Sequence, residues 1–427
     1  MLKYITPRIR FQEFDSWWEK IKLTDLGISV GGTAIESEFD PDGKYKVISI
    51  GSYSEESKYK DQGIRAIYSK KTEKRILEKD DLTMILNDKT STGKIIGRVL
   101  LIDEDNSYVY NQRTQRICLN KNKYVPDFIF QLLNADTNRN KIVRSAQGNT
   151  QIYVNWSDIS NLDYLIPASF EEQFAIGSLF RNIDDLLASY KDNLINYQSL
   201  KATMLSKMFP KAGQTVPEIR LDGFDTEWEC VKMADIFQII DGDRGKSYPG
   251  ESDFSSFGHT LFLDTGNVKK TGLDFSTTKF ISEEKDKELR NGKLISGDFI
   301  LTSRGTLGNV AYYDENIQKR YSSVRINSAM LILRPLLGAK IAPEYILAVL
   351  RGNLISNFMK VNQVGSAQPH ITKKEFSNIK VLVPSNIQEQ QAIGSYFSNL
   401  DNLINSYQEK ISQLEILKKK LLQDMFI

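Results

Sequence analysis

Glu172-Gln173-Phe174-Ala175-Ile176-Gly177-Ser178 returns as Glu389-Gln390-Gln391-Ala392-Ile393-Gly394-Ser395, 217 positions later. The register then holds without a gap to Met208-Phe209 and Met425-Phe426, and residues 171–210 and 388–427 share 17 identities in 40 positions. A second echo opens each half. Pro7-Arg8-Ile9-Arg10-Phe11, with Phe14-Asp15 and Trp18-Glu19, matches Pro217-Glu218-Ile219-Arg220-Leu221, with Phe224-Asp225 and Trp228-Glu229. The order is globular unit, helix, globular unit, helix. So long a period excludes the short repeats of solenoids and implies two similar domains, each followed by a similar long helix. An approximate internal two-fold axis suits a target that is itself split into two parts.

The helices follow from periodicity. Ile176, Phe180, Ile183, Leu187, Tyr190, Leu194, Tyr197, Met204 and Met208 recur mostly at steps of three or four. Ile393, Phe397, Leu400, Ile404, Tyr407, Ile411, Leu414, Leu421 and Met425 do the same, so each stretch carries an apolar seam for another helix. At 1.5 Å per residue each would run roughly 60 Å. Alone it would leave its seam wet, so the two copies are expected to pack together, antiparallel, with a globular unit towards each end. Pro167 and Pro384 precede the helices. Pro210-Lys211-Ala212-Gly213-Gln214-Thr215-Val216-Pro217 is a linker rich in breakers.

The globular units read as mixed α and β. Tyr45 to Ile50, Ile95 to Ile102 and Val310 to Tyr313 look like strands. Pro126-Asp127-Phe128-Ile129 and Pro343-Glu344-Tyr345-Ile346 each open a short apolar helix, with proline at the first position and an acid beside it. Each unit then runs through Gly148-Asn149-Thr150-Gln151 or Gly365-Ser366-Ala367-Gln368 into a final strand.

Composition bounds the class. With 427 residues and 41% hydrophobic content, two or three domains with real cores are expected. There is no run of 18 or more apolar residues, and Met1-Leu2-Lys3-Tyr4 does not open a signal peptide, so no membrane span is expected. Cys118 and Cys230 form no paired motif, which points to a reducing cytoplasm. The net charge of +2 hides its distribution. Residues 44–144 hold 20 Lys/Arg against 13 Asp/Glu, and residues 241–380 hold 20 against 15, whereas 171–209 and 385–427 each hold 4 against 5. Positive charge is concentrated in the globular units, where it could meet phosphate or simply form a solvated face.

Two frames are shared while their contents differ. Asp81-Leu82 leads to Ile96-Gly97-Arg98-Val99, and Asp298-Phe299 leads to Leu307-Gly308-Asn309-Val310. Between them lie Asn87-Asp88-Lys89-Thr90-Ser91-Thr92-Gly93-Lys94 in one copy and Thr302-Ser303-Arg304-Gly305-Thr306 in the other. A common scaffold with dissimilar polar loops can present two recognition surfaces, and these side chains reach base edges and phosphates. The plainer reading is a pair of polar surface hairpins.

Enzyme signatures fail. Gly242-Asp243-Arg244-Gly245-Lys246-Ser247 ends like a phosphate loop, but its first glycine would fall on Ile240. None of the 11 prolines follows an asparagine, so the Asn-Pro-Pro-aromatic motif of amino-methyltransferases is absent. Pro41-Asp42 with Glu56-Ser57-Lys58 reads as a turn and a charge run, not a nuclease centre. His259 and His370 have no companion at metal-ligand spacing. Trp18 and Trp228 read as core anchors.

The doubled plan and the Pro-…-Glu-Gln-x-x-Ile-Gly stretch (Pro167 to Gly177, Pro384 to Gly394) resemble a type I restriction-modification specificity subunit over essentially the whole length. The resemblance implies an α+β fold of two mixed α/β target-recognition domains, 1–165 and 211–382. Two conserved helical spacers, 166–210 and 383–427, would form an antiparallel coiled-coil pair with pseudo-two-fold symmetry. It implies no catalysis by this chain, which would read a bipartite asymmetric site in double-stranded DNA. Partners would be two copies of a methyltransferase subunit and a restriction subunit in the cytoplasm. S-adenosylmethionine, ATP and Mg are expected on those partners, and no cofactor on this chain. Residues carried over as DNA-binding candidates are Lys89, Thr92 and Lys94 in the first loop and Ser303, Arg304 and Thr306 in the second. Flanking Lys58, Lys60, Arg65, Arg113, Arg244 and Lys246 join them. Ile176, Phe180, Ile183, Tyr190, Ile393, Phe397, Leu400 and Tyr407 are the partner-binding candidates. The alternatives are a coiled-coil scaffold whose globular units bind other proteins, and a fused enzyme with its own activity.

Overall fold

A computed structural model describes residues 7–211, 213–362 and 369–426; the expectation for Gly365 to Gln368 lies outside them. Two compact units result, residues 1–191 with 410–427, and residues 192–409. Both unit boundaries fall inside the long helices.

The first unit contains strands β1 (Trp18–Lys22), β2 (Gly27–Gly31), β3 (Leu82–Ile85), β4 (Val99–Leu101) and β5 (Thr114–Leu119), helices α1 (Pro126–Asn134) and α2 (Asp136–Arg144), and strand β6 (Asp163–Pro167). Long helix α3 (Phe170–Lys207) follows. In the second unit the order repeats as β7 (Trp228–Lys232), β8 (Phe237–Asp241), β9 (Asp298–Thr302), β10 (Val310–Tyr313), β11 (Met330–Pro335), α4 (Pro343–Arg351), α5 (Leu354–Asn362), β12 (Lys380–Pro384) and long helix α6 (Ile387–Met425). Each unit has an antiparallel four-stranded sheet, ordered β2-β5-β3-β4 in one and β8-β11-β9-β10 in the other. Each also has a three-stranded sheet, 65–66/45–48/108–110 and 280–281/260–263/324–326, and a two-stranded ribbon, β1 with β6 and β7 with β12.

The middle strands are apolar on both faces because both faces are covered. In β9, Phe299 and Leu301 join the core that receives α4, whereas Ile300 joins the core beneath the three-stranded sheet. In β3, Leu82 and Met84 face the α1 core while Ile85 faces the other. The strand expected over 95–102 is shorter, Val99–Leu101, because Gly97 takes φ +74 and turns the chain first.

The repeated motif is a joint between helix and domain. Glu172 is fully buried, accepts from Arg10 Nε and Nη2 at 2.7 Å each, and accepts from Trp18 Nε1 at 3.2 Å. Glu389 takes the same bonds from Arg220 at 2.8 Å and from Trp228 Nε1 at 3.3 Å. The next residue serves the neighbouring helix. Gln173 Oε1 accepts from Val125 N, just ahead of α1, and its Nε2 donates to Pro167 O and Lys123 O; Gln390 does so for Ala342, Pro384 and Lys340. These bonds satisfy an amide that the helix geometry leaves open. A Cβ on Gly177 would lie 2.9 Å from Phe128 N, and one on Gly394 2.5 Å from Tyr345 N, so only glycine admits α1 and α4 this closely. Trp18 and Trp228 are indeed core residues.

Each long helix ends inside a core. Phe426 packs on Phe128 and Phe180 in the first unit, and Phe209 on Trp228, Tyr345 and Phe397 in the second. The N-terminal echoes cap those ends: Arg8 N and Ile9 N donate to Asp424 O, and Ile219 N to Lys207 O. The helices contact each other within each unit. Asp184 meets Lys418 at 2.6 Å and Lys191 meets Glu415 at 2.6 Å; Lys201 meets Asp401 at 2.5 Å and Tyr197 stacks on Tyr407 at 5.6 Å. Numbers rise on one helix as they fall on the other, so the pairing is antiparallel.

The partner-binding candidates are covered from within this chain. Ile176, Phe180, Ile183, Ile393, Phe397 and Leu400 are all buried within this chain, and Tyr190 and Tyr407 are half-buried. An apolar period marks a face that will be covered but not by what; here the covering comes from the cores and the other helix.

Candidate nucleic-acid interface

Topology gathers the loops that sequence reading picked out separately. β2 and β3 both run antiparallel to β5, so the chain leaving β2, the loop after β3 and the turn before β5 meet at one end of the sheet. Gly32 N donates to Thr114 O and Leu86 N to Arg113 O, both at 2.8 Å. The second unit repeats this. Gly242 N reaches Met330 O, and Ser303 N and Arg304 N both reach Ala329 O at 2.8 and 3.2 Å. Arg244, 60 positions before Arg304, donates from Nη2 to Ser328 O at 3.1 Å. Arg244 and Arg304 thus flank one turn.

The first loop, 86–98, is braced from within. Residues 87–88 pair with 152–153, and the buried Asp88 carboxylate accepts from Thr90 N, Thr90 Oγ1 and Ile95 N at 2.9, 2.9 and 3.0 Å. Lys89, Thr92 and Lys94 are left exposed. Thr92 shares a 2.6 Å hydroxyl bond with Thr90, and Lys94 pairs with Glu55 at 2.9 Å. Lys58 closes the turn that carries Glu55 and is exposed, as is Lys60. Arg113 is exposed with φ +66 at the base of the loop. Arg65 lies elsewhere, in the small sheet. Its guanidinium forks onto Asp61 at 2.8 and 2.9 Å and holds that carboxyl down to about 2, helped by Gly63 N.

In the second unit the loop 303–309 is short and tied down. Thr302 Oγ1 accepts from Asn309 N at 2.9 Å, Asn309 Nδ2 donates to Val268 O at 2.8 Å, and Thr306 Oγ1 to Thr265 O at 3.3 Å. Arg304 and Thr306 are exposed, but Ser303 is buried at 2%. Its position directly after β9, with its N–H and C=O bonded to Ala329 and Ile371, turns it inward. The segment bearing Arg244 and Lys246, both exposed, is held by Asp243. Burial pushes that carboxyl up, but the N–H groups of Gly245, Arg290 and Asn291 outweigh it and hold it below the ordinary range. Exposed Arg290 is thereby drawn to the same place.

Sequence reading missed Asp88, Asp243, Arg290 and Arg139. The contacts of Asp243, Arg290 and Arg139 reach across as many as 48 positions, beyond any local spacing, whereas Asp88 acts on Thr90 and Ile95, two and seven positions on. Arg98 stood in the shared frame but was read only as a marker of it. No group of three or more metal-ligating side chains lies together among the described residues, and none of their helices is long and apolar enough to cross a membrane.

Braced, exposed loops carrying cationic and hydroxyl side chains thus stand at equivalent sheet ends in the two units. Comparison with known proteins places the whole chain. The family model "Type I restriction modification DNA specificity domain" matches residues 16–197 and again 225–416. The MjaVIII type I restriction enzyme specificity subunit of Methanocaldococcus jannaschii is 22% identical over 414 residues, covering 95% of this chain and 91% of its own. A type I restriction-modification S subunit from M. genitalium has the same fold, with TM-score 0.67, 18% identity and 99% of both chains covered. A chain from a study of type I system assembly aligns with TM-score 0.52 at 16% identity, over 96% of this chain and 98% of that one. The chain belongs to the type I restriction-modification DNA specificity family, and is the non-catalytic specificity subunit of such a system.

Proposed function

We propose that this chain reads a bipartite, asymmetric DNA site, one half-site per globular unit, through the loop clusters at the ends of the two four-stranded sheets. One observation carries the reading: two sheets of identical strand order end in loops of different length and content, 86–98 in one and 303–309 in the other. Lys89, Thr92, Lys94 and Arg113 face the first half-site, and Arg244, Lys246, Arg290, Arg304 and Thr306 the second. Residues 1–165 and 211–382 act as target-recognition domains. Helical residues 166–210 and 383–427 act as the spacer.

Partner subunits complete the system: two methyltransferase copies with S-adenosylmethionine, and a restriction subunit with ATP and Mg, in the cytoplasm. With the seam residues covered, the apolar surface left on the helices includes Leu186 and Leu403, 40% and 41% exposed, and Leu200 and Leu417, 36% and 46% exposed. Both pairs occupy equivalent repeat positions, 217 apart. Matching exposed patches suit two copies of one partner.

The test is to map methylated bases in DNA from cells carrying the assembled complex, then repeat with loop 303–309 replaced by that of a relative. A bipartite motif with a fixed gap should appear, and the replacement should rewrite one half only. A contiguous motif, or a change in both halves, overturns the reading. Phosphate contacts also require affinity to fall steeply with salt, with a log–log slope of about −0.9 per contact.

A further inference from the structure

The carbonyl side of loop 86–98 faces two guanidinium groups. Arg139, on α2, donates from Nη1 to Gly93 O at 2.8 Å and Ile96 O at 3.2 Å. Arg98, where the loop rejoins the sheet, donates from Nε to Lys94 O at 3.4 Å, and from Nη1 to Asn134 O at 3.4 Å and Ser57 Oγ at 3.5 Å. Neither has a carboxylate at ion-pair distance among the described residues. Burial depresses the Arg98 guanidinium, with Arg139 adding to the effect, to about 10, and burial likewise lowers that of Arg139.

Half-burying two like charges without a directly paired acid is costly; Asp136 eases it for both groups and Asp88 for Arg139 only at longer range. A directly paired acid would cancel positive potential beneath a surface that meets a polyanion. Carbonyl oxygens accept from Arg139 Nη1 and from Arg98 Nε and Nη1 without removing charge. Among the described residues the second unit does not repeat this pair of guanidinium groups on its loop. In the second repeat Asn309 stands at the position of Arg98 and Ser356 at that of Arg139, and the shorter loop is tied by neutral bonds.

We propose that Arg139, supported by Arg98, is a positioning residue for recognition of the first half-site. Its Nη1 splints the carbonyls of Gly93 and Ile96 while Asp88 holds the loop's N–H groups, so Lys89 and Thr92 are presented in one arrangement. This deepens the reading above and rests on it. Preorganisation of this kind sharpens discrimination by removing the ordering cost from binding.

The experiment uses the complex assembled with its methyltransferase partners, once the motif has been mapped. Duplexes with single base changes in one or the other half-site compete against the intact site, for the native complex and for Arg139→Gln, Arg139→Lys and Arg98→Gln. Arg139→Gln should lower discrimination at the first half-site at least about tenfold and leave the second unchanged, with the salt slope altered by less than about 0.5. Arg139→Lys, which keeps the charge but loses the planar Nη1 amine and its reach to both carbonyls, should remain impaired. Arg98→Gln, with longer bonds, should show a weaker form of the same selective loss, and it serves if the Arg139 variants do not fold. Equal loss at both half-sites, unchanged discrimination, or a salt slope shallower by about 0.9, the mark of a direct phosphate contact, would overturn the proposal. The double variant Lys89→Ala/Thr92→Ala separates the two claims. If it spares the first half-site, the loop does not face DNA and the underlying reading fails. If it damages the first half-site while Arg139→Gln does not, only the splint fails.

Discussion

The joints at the heads of the long helices and the sheet ends where the loops gather are built on opposite plans. At the joints the two repeats agree bond for bond: Arg10, Trp18 and Glu172 in one, Arg220, Trp228 and Glu389 in the other, with oxygen–nitrogen distances matching within 0.1 Å. At the sheet ends only the strand order is shared. A buried ion pair tolerates no change of partner, whereas a loop whose backbone is already satisfied can vary its exposed side chains freely. Architecture is thus held constant where charge is buried, and the loops diverge where it is exposed.

The largest expected effect breaks the constant part. Glu172→Ala would leave the Arg10 guanidinium and the Trp18 indole N–H without their acceptor, and Glu389→Ala would do the same to Arg220 and Trp228. Removing one partner of a buried pair costs about 3–5 kcal/mol, and the two losses should be equal. Urea unfolding of the assembled subunit, with a reporter in each unit, would show it. Unequal losses would mean the joints are equivalent only in appearance.

Next come the glycines that admit α1 and α4. Overpacking of a tight contact costs typically about 1–3 kcal/mol. Gly394→Ala, whose new Cβ would stand 2.5 Å from both Tyr345 N and Glu344 Cβ, should cost more than Gly177→Ala at 2.9 Å. Thermal unfolding of the two variants side by side would reveal the opposite ranking if the second joint relaxes more easily than the first.

At the divergent end, Arg304→Ala and Lys89→Ala should each weaken one half-site and spare the other. Loss of a base-reading contact is worth about 1–3 kcal/mol of discrimination, and loss of a phosphate contact shows instead in the salt slope. Competition with half-site variants would separate these. Equal damage to both halves by either variant would make the loops a general charge effect rather than two readers.

Much of the architecture was legible because it is written twice. The repeat located the helices, Pro126 and Pro343 located two more, and the shared frames located the strands around the loops. What could not be read was who satisfies whom. Glu172 and Glu389 were noticed as identities in a motif, yet nothing local shows that their partners lie 162 and 169 positions upstream in the second echo. The seam residues could not say what covers them, because burial inside the chain and burial against another chain select the same side chains. The burial of Ser303 was not legible, because a polar residue one step past a buried strand keeps the strand's inward turn. Loop interiors were the least legible part: Asp88, Asp243 and Arg139 act on backbone groups, which every residue carries, so no residue pattern records the contact.

The smallest effect tests the symmetry where the helices meet. Lys201–Asp401 at 2.5 Å and Lys418–Asp184 at 2.6 Å are the same pair in the two repeats, with all four side chains 21–26% exposed. Partial exposure limits each to about 0.5–1 kcal/mol. Their surroundings differ, however. Asp401 also has Arg351 at 3.8 Å, whereas among the described residues Asp184 has, besides Lys418, the neutral amide of Gln131 at 3.0 Å. Lys201→Met leaves Asp401 a cation; Lys418→Met leaves Asp184 none. The second substitution should therefore be the more destabilising, by a few tenths of a kcal/mol, and adding Arg351→Met to Lys201→Met should erase the difference. Double-mutant cycles on stability would resolve it, and equal costs for the two single variants would show that Arg351, whose burial already lowers its guanidinium pKa, does not compensate its neighbour.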